Sequence, residues 1–323
     1  MVPAGVGPGR LAVLCGPTAV GKTALAVELA ASVGAEIICA DSRTIYRGMD
    51  IGTAKPTRAQ RARVPHHLLD VADPDQVFTL ADFQRLARAA IEGVAARGRV
   101  PLIVGGTGLY IRGIVDDLTL PHVPPDPPLR AQLEADERAR GPGHLHARLA
   151  ALDPVAASRI HPRNVRRLIR ALEVTTIAAR PISTLQRTGT PLAATLIGLS
   201  MARDALYREI DARVDAQIAD GLIDEVRGLL ARGIPHNVPA MQGLGYKELG
   251  GWLGGACTFE EALRLLKRNT RRYAKRQLTW FRRDPRVRWI DVTHLDRETL
   301  LERARAMMDA DPRSADLEQP WRA

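Results

Sequence analysis

Residues 16–23, GPTAVGKT, have the spacing G-x-x-x-x-G-K-T and directly follow the apolar run LAVLC at 11–15. That pattern builds a phosphate cradle. Glycines let backbone N–H groups converge on phosphate oxygens, and the start of the following helix adds the positive end of a dipole. All eight residues, Gly16, Pro17, Thr18, Ala19, Val20, Gly21, Lys22 and Thr23, are therefore candidate diphosphate ligands. Lys22 supplies a point charge, and the Thr23 hydroxyl is placed to bind Mg2+. The motif specifies a di- or triphosphate and no particular nucleotide. N-K-x-D is absent, so guanine specificity has no support, and PLIVGG (101–106) ends without the acid of an ATPase-type strand.

The one carboxylate well placed at a strand end is Asp41, closing AEIICADS (35–42). Three roles stay open from the residues alone: an outer Mg2+ ligand, a general base near bound phosphates, or the cap of a turn. Tyr46, Arg47 and Lys55 follow in a polar loop and suit the mouth of a site as well as an ordinary surface. His66 and His67 are neighbours in a strand-like run, so their side chains point to opposite faces and a shared metal site is not expected.

These groups need elements to hold them. LAVLC (11–15), AEIICADS (35–42), HHLLDV (66–71) and VPLIVGGTG (100–108) read as short buried strands. KTALAVELAASV (22–33) and TLADFQRLARAAIEGVAARG (79–98) read as helices between them, the second capped by Thr79 and stopped by Gly98. Strands alternating with helices imply a parallel α/β sheet whose working residues lie at the strands' carboxyl ends. A five-proline stretch (120–130) then reads as an extended hinge, and 129–187 as helical. ATLIGLSMAR (194–203) restores a strand, 204–283 is helical, and VRWIDV (287–292) is a last strand. The expected fold class is a P-loop kinase-like parallel α/β core (10–118 and 194–293) with a helical insertion (119–193) and mostly helical C-terminal region. Flexible tails are expected at 1–9 and 312–323.

Composition bounds the rest. The chain has 323 residues, 46% hydrophobic and 25% charged, as expected of a globular protein. No apolar run is long enough to span a membrane and no signal peptide is read, so a cytoplasmic location is expected. Three cysteines, Cys15 and Cys39 among them in buried strands, read as reduced thiols. The net charge of +10 suits a polyanionic partner, although an arginine-rich composition alone produces the same number.

GPTAVGKTALAVELA, DSRTIYRGMDIGTAKPT, VPHHLLDV, LIVGGTGLYIRGI, NVRRLIRALEV, GLGYKEL and TRRYAKRQLTWFRRD stand in an order that resembles the tRNA dimethylallyltransferases. The likeness runs from about residue 10 to 290. It implies transfer of a dimethylallyl group from its diphosphate to N6 of adenosine 37 in tRNA, beside the anticodon, by an enzyme that uses Mg2+ and is expected to be a monomer. By the same resemblance Asp41 is the base that accepts the N6 proton, Thr107 lies near the adenine, and Arg213 holds the diphosphate. Ser42, Arg43 and Thr44 match tRNA-contacting positions, as do Arg130, Arg166, Arg167 and Arg170, and the segment Met241, Gln242, Gly243, Leu244, Gly245 and Tyr246. The family usually has Gln where this chain has Thr44, and a single hydroxyl cannot pair two base edge atoms as an amide can.

The residues independently mark an RNA face. Residues 264–288 carry eleven Lys and Arg against the single acid Asp284. From Arg264 to Arg276, Arg271, Arg272, Lys275 and Arg276 included, the seven basic side chains fall on one half of a helix. With no acids within the stretch to pair them, a phosphate-binding stripe is the expected use. Alternatives are an adenylate isopentenyltransferase acting on free nucleotide, a P-loop small-molecule kinase, or an RNA-binding protein without activity. The insertion and the basic helix favour tRNA over a free nucleotide.

Overall fold

The computed structural model describes residues 11–121 and 123–310. The expected tails, 1–9 and 312–323, lie outside them. The chain divides into two compact units, one running to Val115 and resuming at Leu192, the other Asp116–Pro191.

The first unit is organised by a six-stranded sheet, all parallel. Its strands are β1 (Leu11–Cys15), β2 (Ala35–Cys39), β3 (His66–His67), β4 (Val100–Gly105), β7 (Ala194–Ser200) and β8 (Val287–Asp291), in the order β3-β2-β4-β1-β7-β8. All five residues of LAVLC in β1 and of AEIIC in β2 are buried, because both faces of the sheet are covered. Alternation then sorts their side chains. Ala12, Leu14, Ala35, Ile37 and Cys39 face a core that includes Leu25 and Leu29 of α1 (Lys22–Val33). Leu11, Val13, Cys15 and Ile38 face Phe83 of α3 (Leu80–Ala96) and Ile111 of α4 (Gly108–Val115). Thr79 caps α3 by accepting from the Asp82 amide, as the sequence implies.

Three departures from the sequence reading have local causes. β3 stops after two residues because Leu68 and Asp70 adopt positive φ (63° and 56°), which turns the chain out of the sheet. β2 ends at Cys39, where the Ala40 amide still donates to the Val104 carbonyl, and Asp41 lies in the loop beyond it. The five-proline stretch is not extended throughout. Pro127 and Pro128 open α5 (Pro127–Arg140), where a missing N–H costs nothing, and Asp126 caps it by accepting from the Leu129 amide.

The second unit has its own core. It pairs β5 (Leu118–Thr119) antiparallel with β6 (Arg187–Thr188), a contact the sequence did not suggest. Between them α5, α6 (His144–Leu152), α7 (Pro154–Arg159), α8 (Val165–Ala178) and α9 (Ile182–Leu185) enclose Leu133, Leu145, Leu149, Leu168 and Leu172.

Back in the first unit, helices α10 (Arg203–Ala219), α11 (Leu222–Ala231), α12 (Tyr246–Leu253) and α13 (Phe259–Phe281) follow β7. A further helix, α14 (Arg297–Asp309), escaped the sequence reading. Ala304 and Met308 anchor it in the α1 side of the core. The β2–β4 pairing sets the tightest backbone approach beside the site. A Cβ on Gly105 would lie 2.0 Å from the Ala40 carbonyl oxygen. Gly105→Ala should therefore cost about 1–3 kcal/mol by overpacking, read as a lower denaturant midpoint with an unchanged slope. A midpoint equal to wild type would contradict this close packing.

Candidate active site

The carboxyl ends of β1, β2 and β4 open on one cavity of about 390 Å³. This is the crevice where open α/β sheets take ligands, and the volume suits a small molecule. Thr18, Ala19, Gly21, Lys22 and Thr23 line one wall, while Asp41, Thr44, Gly105, Gly106 and Arg213 line others. Thr53, Lys55, Gln60 and His66 extend it.

Two left-handed residues shape the loop between β1 and α1. Gly21 caps α1 with φ 90° and offers no side chain to its first amides, and no acid stands in its first turn. Ala19 is left-handed too, at φ 67°. Lys22 Nζ donates to the Pro17 carbonyl at 2.6 Å. Burial pulls the Lys22 pKa down from the ordinary lysine range to about 8, against the opposing pull of Asp41 and with help from Arg213. Arg213, on α10, donates through Nη2 to Thr18 Oγ1 at 2.5 Å. Burial lowers its pKa as well, Asp41 again opposing. Spacing alone makes Arg213 a solvated helix charge; the fold turns it inward.

The Thr18 amide is not free for a phosphate, since it donates to Gln277 Oε1 of α13 at 2.8 Å. The remaining loop amides carry the cradle.

Asp41 Oδ1 accepts from the Arg43 amide at 2.8 Å. Thr107 follows β4, and its main-chain oxygen accepts from Tyr110 and Ile111 at the start of α4. Its side chain does not cap that helix. Thr107 Oγ1 instead accepts from the Ser42 amide at 3.0 Å, joining the Asp41 loop to the β4 turn. Thr44 is buried, and its Oγ1 has no hydrogen-bond partner. The same is true of His66 Nε2 and Arg213 Nε. Among the described residues these are the enclosed side-chain nitrogen and oxygen atoms without a partner, and all three residues line this cavity. Buried polar atoms are normally satisfied, so the cavity is made for a polar occupant.

Other expectations divide. Lys55 is buried, with its ammonium held by Tyr46 O, Asp50 and Asp70 at 2.5–2.6 Å, so it fastens the loop that walls the cavity. Arg47 pairs with Asp73 at the surface. His67 pairs with Glu36, while His66 Nδ1 bonds the Val64 carbonyl. The two rings part as strand geometry requires, although His66 reaches the cavity. Cys15 and Cys39 are buried thiols whose pKa burial pushes up to about 12.

The basic stripe is smaller than the sequence suggests. Arg264 is forked onto Glu261, Lys267 pairs with Asp215 at 2.6 Å, and Arg271 is forked onto Asp211, so acids outside 264–288 take up three of the seven. Of the other four, Arg272, Lys275 and Arg276 line an open hollow with Thr279, Trp280 and Arg283. Met241 and Tyr246 lie in the core, with the Tyr246 hydroxyl donating to Glu225 Oε1 at 2.5 Å, so neither side chain reaches a surface-bound RNA. Gln242 donates to the His236 carbonyl, and Gly243 and Gly245 are buried with Leu244 partly so. Arg43 reaches this segment through the Pro239 carbonyl at 2.5 Å. In the second unit Arg166 and Arg167 are exposed. Arg130 and Arg170 both grip the buried Glu173, at 2.7 and 2.6 Å, which holds its carboxyl down at about pKa 2 despite burial.

Fold and site together define a P-loop protein in which two desolvated cations face a carboxylate across a small-molecule cavity. A family model described as IPP transferase matches residues 44–284, and one described as isopentenyl transferase matches 9–72. The tRNA dimethylallyltransferase of Symbiobacterium thermophilum is 52% identical over 296 residues, 88% of this chain and 89% of its own. That of Roseiflexus castenholzii is 50% identical over 92% of this chain and 97% of its own. The crystal structure of the Bacillus halodurans tRNA isopentenylpyrophosphate transferase has a TM-score of 0.72 at 45% identity, over 94% of this chain and 97% of that one. A eukaryotic dimethylallyltransferase acting on tRNA has 0.77 at 25% identity, over 92% and 77%. The chain belongs to the tRNA dimethylallyltransferase family.

The Lys22 pKa carries a prediction. Bound anion favours the charged ammonium, so affinity for inorganic diphosphate is full below pH 8 and falls as pH rises through the free protein's Lys22 pKa, by up to about tenfold per unit. Lys22→Arg, charged throughout, should lose that fall. Titration calorimetry from pH 7 to 10 checks it, and matching profiles for the two proteins would contradict it.

Proposed function

We propose that the protein transfers the dimethylallyl group of dimethylallyl diphosphate to N6 of adenosine 37 in tRNA, releasing diphosphate. The observation that carries this reading is the single cavity in which Lys22 and Arg213 face Asp41. The N6 lone pair attacks C1 of the donor, the C1–O bond breaks, and its electron pair leaves on the diphosphate oxygen. Asp41 takes the N6 proton, which relieves the poor nucleophilicity of a delocalised amine. Negative charge builds on the leaving oxygen, where Lys22, Arg213 and the loop amides after Thr18 are preorganised to receive it.

Thr107 and Thr44 face the adenine. The Thr44 hydroxyl, enclosed and unpaired, has one hydrogen bond to give where a Gln would have two. The oxygen donors Thr23 and Asp41 beside a diphosphate suit Mg2+, which usually takes one or two protein oxygens together with substrate phosphates. When bound there, the ion neutralises charge on the leaving group.

The RNA partner is the anticodon stem-loop. Its phosphates meet Arg272, Lys275 and Arg276 of α13, and Arg166 and Arg167 of the second unit. The adenine must leave its stack to reach the cavity. A monomer acting in the cytoplasm is part of the same proposal. No helix among the described residues is long and apolar enough to cross a membrane.

Incubation with labelled dimethylallyl diphosphate and unmodified tRNA, followed by nucleoside analysis, should place one prenyl group on adenosine 37. Asp41→Ala should lose about 100-fold or more in rate while tRNA binding persists. Label on free adenosine monophosphate alone would favour the nucleotide enzyme. Transfer of the γ-phosphate of ATP without prenylation would favour a kinase.

A further inference from the structure

The inward face of α13 touches both halves of the active site through one side chain. Gln277 is only 5% exposed. Its Oε1 accepts from the Thr18 amide in the cradle at 2.8 Å, and its Nε2 donates to the Gly106 carbonyl in the turn after β4 at 2.9 Å. Thr18 and Gly106 lie on different strand ends, and no other side chain has hydrogen bonds to both of these main-chain groups among those described. The contact is close: a Cβ on Gly106 would lie 2.1 Å from Gln277 Nε2. A Gln amide accepts at one terminal atom and donates from the other, with no change of protonation state. Glu lacks the donor, and Met lacks both strong groups.

Two further links tie the same helix to the site. Tyr273, one turn earlier, lies beside Thr107, the residue after Gly106. Arg271 is forked onto Asp211 of α10, two residues before Arg213, and Arg213 in turn holds the Thr18 hydroxyl. Thr18 is thus pinned through its main chain by α13 and through its side chain by α10. On the outer side of α13, Arg272, Lys275 and Arg276 line the open basic hollow, and Lys275 and Arg276 immediately precede Gln277. A shift of α13 would reach Thr18 and Gly106 through this pair of hydrogen bonds.

We propose that Gln277 is a positioning residue that fixes the spacing between the diphosphate cradle and the acceptor turn, and so couples RNA on the outer face of α13 to diphosphate in the cradle. The inference rests on the prenyl-transfer reading only for the identity of the RNA. Coupling of this kind is reciprocal: RNA tightens the diphosphate by the factor by which diphosphate tightens RNA.

The test uses the full chain, unmodified tRNA and inorganic diphosphate, which cannot react. Diphosphate affinity is measured with and without saturating tRNA in wild type, Gln277→Glu and Gln277→Met, each checked for folding by circular dichroism. Wild type should bind diphosphate about fivefold or more tightly when tRNA is present. Both variants should bring that ratio to about one and lower kcat for prenyl transfer by roughly tenfold to a hundredfold, as a misplaced reactant does, with tRNA affinity in the absence of diphosphate unchanged. A residue that merely fills space would leave the ratio intact in Gln277→Met. No tightening in wild type, or a ratio retained in a folded variant, overturns the proposal; the wild-type ratio decides against it even where a variant fails to fold. Prenyl transfer without coupling defeats this inference alone. Coupling without prenyl transfer defeats the reaction assigned to the site and leaves the coupling standing.

Discussion

Two cations taken out of water beside one carboxylate set the conditions for everything else. Lys22 and Arg213 both have their pKa values lowered by burial and both are supported by Asp41. Such an arrangement holds positive charge at a cost that an anion relieves. It also explains why the surrounding chain is so tightly fastened. Thr18 is tied on both sides, Thr107 bridges the Asp41 loop to the β4 turn, and Lys55 closes the next loop against Asp50 and Asp70. In the proposed reaction, a diphosphate leaving group that gathers charge as a carbon–oxygen bond breaks would meet donors that need no reorganisation.

Helix α13 is the element through which the chain's two chemistries meet. Its buried residues, Ala262, Leu266, Thr270, Ala274, Gln277 and Phe281, repeat at helical spacing and pack it against the rest of the first unit. That packing presents Arg272, Lys275 and Arg276 outward and Gln277 inward. The acids of α10 neutralise Arg271 and Lys267, leaving the unpaired cations near the C-terminal half of the helix, where the basic hollow lies.

Much of this was legible in the residues because it is local. The cradle, α1 from Lys22 to Val33, the Thr79 cap and the buried strands all follow from spacing and from apolar runs within a short window. Asp41 was legible as a carboxylate at a strand end, since that position in a parallel sheet lies beside the first loop. What escaped depends on partners far along the chain. Asp211 and Asp215 silence part of a helix that reads as uniformly basic, and Glu225, 21 residues before Tyr246, draws that ring into the core. Gln277 looks like an ordinary polar residue until the fold places it 259 residues from Thr18 and within hydrogen-bonding distance. β3 was read too long because positive φ at Leu68 and Asp70 has no glycine to announce it.

The central claim is that the cradle holds the leaving group of a carbon transfer, not the phosphate of a phosphoryl transfer. Dimethylallyl diphosphate labelled with carbon-14 at C1 and phosphorus-32 in the β-phosphate separates the two in one reaction with unmodified tRNA. The account predicts carbon label in the RNA and one equivalent of labelled diphosphate in solution for each prenyl group transferred. Phosphorus label in the RNA, or labelled orthophosphate in place of diphosphate, would contradict it.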